Sequence, residues 1–188
     1  MELIGVYLMA CGLLTVAGMA KAVRPDDTAR ALATATGVHL RPMRVLVRVG
    51  SVVEVAVGLT ALVMPRPWSV GLVALSYALF AVFVVYARST GGAIASCGCF
   101  GTPDTPATPV HVVINVALAV SVAAVAWSAP SSGTLVGLLA HQPGHGVPLV
   151  AVSALGAWLV YLTISVLAAL QAARSLTGIT FERRAPST

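Results

Sequence analysis

The sequence reads as an all-α protein, a polytopic transmembrane helix bundle of five spans, on three observations. Of its 188 residues 58% are hydrophobic and only 9% are charged, whereas soluble domains run near ~25% charged. Mean hydropathy is +0.94. The apolar residues gather in stretches of roughly 20, the length that crosses the hydrocarbon core of a bilayer. Membrane lipid is therefore the expected environment. The net charge of +5 comes from residues flanking the apolar stretches, which is a topology signal and not a nucleic-acid footprint.

Span one is expected over 3–20. Its start, Met1-Glu2-Leu3, has no basic n-region, so no cleaved signal is expected. Leu8-Met9-Ala10-Cys11 faintly resembles a lipoprotein box, but Cys11 reads better as a small apolar residue inside the helix. A polar segment follows, with Lys21, Arg24, Pro25, Asp26, Asp27 and Arg30. Residues 27–40 suit a short interfacial helix capped by Asp26 or Asp27, with Pro42 interrupting it.

Span two is expected over 45–64, ending at Pro65-Arg66-Pro67, and span three over 68–87, with Trp68 and Tyr86 as interfacial anchors. The stretch 88–109 holds Gly91, Gly92, Gly98, Gly101, Pro103, Pro106 and Pro109 and cannot be a regular helix. Span four is expected over 110–127. A Gly/Pro/Ser loop containing His141 and His145 follows, then span five over 148–173 and a tail with Arg174, Arg183 and Arg184. Residues 1–128 form one unit carrying the cysteine loop; residues 129–188 add a loop, the fifth span and the basic tail.

The loop after span three holds the chemistry. Cys97 and Cys99 flank Gly98 and precede Phe100-Gly101, and the one other cysteine of the chain is Cys11. Three cysteines do not make a disulfide scaffold. A Cys-x-Cys pair on a Gly-rich turn suits two chemistries: a dithiol–disulfide cycle, or a clamp for a soft metal such as Cu(I) or Hg(II). The bland alternative is two small residues in a turn.

Glu54 is expected near the middle of span two, where an ionisable group is expensive and marks function. Gly50, Glu54 and Gly58 recur every fourth residue, so they share one face, and the glycines admit a neighbouring helix. Glu54 then points into the bundle, as a proton relay or as a clamp between helices. Lys21 ends span one and can snorkel to the interface. Pairing with Glu54 is not expected, because at about 1.5 Å per residue Glu54 lies several residues deeper. His111 and Asn115 are four apart and share a face at the start of span four. His111 suits proton transfer or lowering a cysteine pKa, or is an ordinary interfacial histidine. His141 and His145 read as plain loop residues.

Cys97-Gly98-Cys99-Phe100-Gly101, after a helix with Glu54 and Gly58 and a span ending in Lys21, resembles the MauE/DoxX-like membrane proteins, in particular the MauE branch named for methylamine utilisation. The resemblance spans about residues 3–127. It implies a four-helix DoxX-like core, with the fifth C-terminal span added to it, in the bacterial plasma membrane. It implies redox roles for Cys97 and Cys99, with Glu54 and Lys21 as supporting positions. It also implies a thioredoxin-like partner outside the cytoplasm and a part in maturing disulfide-rich proteins such as the small subunit of methylamine dehydrogenase. Relatives often carry a basic residue beside the asparagine of span four; here Ile114 precedes Asn115, and His111 is the nearest candidate cation.

A disulfide across Gly98 closes a small, strained ring, and strained disulfides exchange readily. Cys11 is alone, so a second thiol pair is absent and the electrons must reach a quinone or a partner; otherwise the chain is a scaffold. Rival functions are soft-metal handling through Cys97 and Cys99 and a non-catalytic membrane assembly factor, alone or as a homo-oligomer. Met9, Met19, Met43 and Met64 share no face that would extend a soft-metal path. Positive charge after span one and in the tail places the N-terminus outside and, by parity, the cysteine pair inside. A partner outside the cytoplasm needs the opposite side.

Overall fold

The computed structural model describes residues 2–89, 109–127 and 143–182. Among them the chain is all helical. The helices are α1 (Glu2–Val23), α2 (Asp26–Thr36), α3 (Leu40–Val63), α4 (Pro67–Ser89), α5 (Pro109–Trp127) and α6 (Pro143–Glu182). All but α2 are long and apolar enough to cross a membrane, which matches the five expected spans. Large apolar residues such as Val49, Val52, Leu75, Val82, Val116 and Val120 are exposed, as side chains facing lipid must be.

α1 is the central helix. Tyr7, Cys11 and Leu14 pack with Ala61 of α3, Val73 and Tyr77 of α4, and Leu118 and Val122 of α5 in one core. Two tyrosines tie this core together where water is absent. The Tyr7 hydroxyl donates to the carbonyl of Ala61 at 2.5 Å and the Tyr77 hydroxyl donates to that of Ala10 at 2.6 Å. Buried hydroxyls need such partners. Cys11 is free and fully buried, as expected. α6 lies across α1, where Gly5 faces Leu149 and Ser153 and Gly156 faces Met9.

α1 and α3 run antiparallel at close range because small residues line their contact. A β-carbon at Gly18 would lie 2.9 Å from Val55 and 3.0 Å from the carbonyl of Ser51; one at Gly58 would meet Thr15 and the carbonyl of Cys11. Gly50 has nothing within 4 Å of its β-carbon position. The close contact is therefore carried by Ser51, Val55 and Gly58, and Gly50 is not part of it.

Three boundaries differ from expectation, each for a local reason. α2 stops at Thr36 because Gly37 turns left-handed at φ 70°, its N–H bonding the carbonyl of Ala33. Its start carries no side-chain cap; Pro25 precedes it, and Asp26 and Asp27 lie in the first turn, where they complement the helix dipole. Pro42 begins a helix instead of interrupting one. It sits in the first turn of α3, where its missing N–H is not needed. α3 thus starts five residues before the expected span and projects past the end of α1, where α2 packs beside it. At the other end of the chain, His145 lies in the first turn of α6 and is exposed; it is not a loop residue.

Candidate functional site

The α1–α3 register brings together the two charges expected to stay apart. With Gly58 level with Thr15 and Ser51 level with Gly18, the Glu54 backbone falls about one helical turn from that of Lys21, within reach of the long lysine side chain. Their side chains form an ion pair, Nζ to Oε2 at 2.5 Å, with side-chain exposures of 6% and 18%. Lys21 lies in the last turn of α1, and the pairing that was not expected forms because its side chain reaches back along α3 to the carboxylate. Apart from the ammonium, the buried Oε2 of Glu54 has no hydrogen-bond partner among the described residues. The ammonium also sits over the ring of Phe80, 4.3 Å from its centroid, so an aromatic face shares in stabilising the cation.

His111 and Asn115 are buried on one face of α5, as their spacing implies. The Asn115 side-chain amide donates to the carbonyl of His111 at 2.7 Å. Both line a cavity of about 40 Å³ together with Lys21, Tyr77 and Phe80. That is room for water between the ammonium and α5. On the other side of Lys21 a larger cleft of about 290 Å³ opens between α3 and α4 beneath α2. Lys21 and Phe80 line both spaces, so the ion pair stands between an inner cavity and an outer cleft.

This cluster lies at one end of the bundle. α2 marks that end, since Ala31 packs against Ala87 and Phe83 near the close of α4. Four of the expected site residues, Lys21, Glu54, His111 and Asn115, are thus brought together around one polar centre. Phe80, Phe83 and Tyr77 complete its lining; sequence reasoning missed them because an aromatic residue inside an apolar span carries no periodic signal that separates lining from core. Cys97, Gly98, Cys99, Phe100 and Gly101 lie outside the described residues, as does His141. The chain that carries the cysteine pair leaves α4 after Ser89 and enters α5 at Pro109. Both anchor points belong to the end of the bundle that holds the polar centre. Among the described residues no cluster of His, Cys, Asp or Glu could hold a metal ion.

The family model described as Methylamine utilisation protein MauE matches residues 2–128. The match covers α1–α5 and the cysteine pair, and stops before α6. No curated protein and no solved structure matches the chain.

Proposed function

The chain belongs to the MauE family, and on that premise we propose that it supports thiol–disulfide exchange in partner proteins at the membrane. Cys97 and Cys99 are the reacting pair. The observation that carries the reading is the buried cluster of Lys21, Glu54, His111 and Asn115 at the end of the bundle to which the cysteine segment is joined. A polar centre held inside an apolar bundle is costly and is retained for a task; beside a thiol pair, that task is to hold charge and supply or remove protons.

The exchange runs from the oxidised pair. A thiolate of the partner attacks one sulfur of the Cys97–Cys99 disulfide, the S–S bond breaks, and a mixed disulfide forms. A second partner thiolate attacks the mixed disulfide. The partner leaves with a new disulfide, and Cys97 and Cys99 remain as a dithiol. The partner in this reading is a thioredoxin-like protein, which passes the disulfide on to proteins such as the small subunit of methylamine dehydrogenase. Glu54 and His111 serve the protons that the two sulfurs take up and lose, and Lys21 holds the carboxylate in place.

The test is trapping. A Cys97→Ser or Cys99→Ser single variant should accumulate a mixed disulfide with the partner, visible as a reducible high-mass band, and the Cys97→Ser/Cys99→Ser double variant should show none. A double variant that supports substrate disulfide formation as well as the parent would refute the redox role and favour an assembly factor.

A further inference from the structure

The exchange described above uses the Lys21–Glu54 pair but not the open space of the cleft beneath α2, which has the features of a built site. Its walls are Leu32 of α2, Leu46 of α3, and Leu79, Phe80 and Phe83 of α4. Its polar lining includes the Lys21–Glu54 pair. We propose that this cleft binds the head ring of a lipid-soluble quinone, a flat neutral ring with two carbonyl oxygens carried on an apolar tail.

The polar groups select the class. Lys21 is 94% buried at its side chain by the complement of its 6% exposure, and Glu54 neutralises it. A paired charge offers little to an anionic headgroup, but an ammonium has three N–H donors, and those not aimed at Glu54 suit a ring carbonyl. Arg41 and Arg48, which would favour a phosphate, do not line the cleft. Size and surroundings agree. The volume of about 290 Å³ lies near the lower end of small-molecule sites, roughly 300–1,000 Å³. Phe80 and Phe83 offer aromatic surface to a ring, which favours offset or edge contacts. Leu46 and Leu79 are 54% and 59% exposed, so the mouth of the cleft opens on the lipid-facing sides of α3 and α4, where an apolar tail would run.

The chemistry rests on the thiol reading. Reoxidation of the Cys97/Cys99 dithiol breaks two S–H bonds, forms one S–S bond and releases two electrons and two protons. The quinone takes all four, its carbonyls become hydroxyls, and the quinol returns to the bilayer. Cys11, free and buried, offers no second thiol pair to carry these electrons.

The experiment uses the full chain in phosphatidylcholine nanodiscs with decylubiquinone as probe. Gly50 lines the cleft and has open space at its β-carbon position, as does Gly71, which does not line it. Gly50→Phe should fill the cleft without disturbing the helix contacts and should weaken saturable probe binding by about tenfold or more, the scale of one lost anchoring interaction. Gly71→Phe should leave affinity unchanged. No saturable binding, equal affinity in the Gly50→Phe variant, or release of a co-purified phospholipid by that variant in place of quinone would overturn the proposal. The Cys97→Ser/Cys99→Ser variant separates the two readings. Binding kept in it while partner exchange is lost supports the cleft; exchange intact in the parent without any probe binding sinks the cleft alone.

Discussion

At the scale of single residues the decisive contact is Lys21 with Glu54. Each is mostly out of water, and their 2.5 Å approach offsets a desolvation cost that neither could bear alone. Removing one partner of such a pair costs about 3–5 kcal/mol, because the other charge is left uncompensated. Lys21→Met and Glu54→Leu should therefore each lower the melting temperature of the detergent-solubilised chain sharply, with Lys21 losing its partner in the second case. The double variant Lys21→Met/Glu54→Leu should melt above either single one. Additive losses in this cycle would show that the two side chains act separately. The Arg44–Asp26 pair provides the contrast. Its side chains are 45% and 55% exposed, and exposed pairs are worth about 0–1 kcal/mol. Arg44→Gln should leave the melting temperature within about a degree or two of the parent, as so small a loss implies. Glu54 was legible in the sequence as a costly group on an inward face, and His111 with Asn115 as a shared face. The pairing with Lys21 was not, because each charge was kept at the level of its own backbone, whereas the long lysine side chain spans the turn between them.

At the scale of helices, register decides everything else about the site. Gly18 and Gly58 set how closely and at what offset α1 and α3 approach, and that offset delivers Glu54 to Lys21. Gly58→Leu would push into Thr15 and the backbone of Cys11, neither of which can yield far inside a helix pair. Overpacking of this kind costs about 1–3 kcal/mol. The variant should melt below the parent and should also disturb the ion pair of Glu54, one turn away on α3, which Gly50→Leu leaves alone. If Gly58→Leu and Gly50→Leu melt alike, the helices are not held by the Gly58 contact. The sequence pattern of small residues pointed to Gly50, Glu54 and Gly58 as one packed face. The structure divides them: Gly58 packs, Gly50 lines a cleft, and Glu54 sits between. A four-residue spacing fixes a common side of a helix but not which neighbour covers each level of it. The five spans, in contrast, were legible in number and order, since stretches of about twenty apolar residues have few other places to go, but not in their ends: α3 begins at Leu40 and not Val45, and α6 runs over Pro143–Glu182 and not 148–173. The turn chemistry at Gly37 and Pro42 needed the backbone itself, as proline reads equally as a stop or as a first turn.

For the whole molecule the open question is which face of the membrane the polar end occupies, and charge gives a definite expectation. α2 packs on the end of α4, so α2, the first turns of α3 and the ends of α1 and α4 share one side. That side gathers Arg24, Arg30, Arg41, Arg44 and Arg88, whereas the turn between α3 and α4 holds Arg66. Cytoplasmic segments near span ends carry the excess of Lys and Arg. The α4–α5 segment begins on the same basic side, so charge counting puts Cys97 and Cys99 on the cytoplasmic face, where thiols are kept reduced, whereas the oxidising exchange proposed above needs the opposite face. Labelling with a membrane-impermeant maleimide in intact cells checks this, using a Cys11→Ala background so that only the pair reports. The charge argument expects no labelling until cells are permeabilised. In that case exchange would be with a cytoplasmic thioredoxin-like protein and would favour reduction over oxidative maturation. Labelling from outside, seen only after prior reduction, would place an oxidised pair on the outer face. It would reverse the charge-based orientation of all five spans at once and join the cysteine pair to an oxidising partner outside the cell.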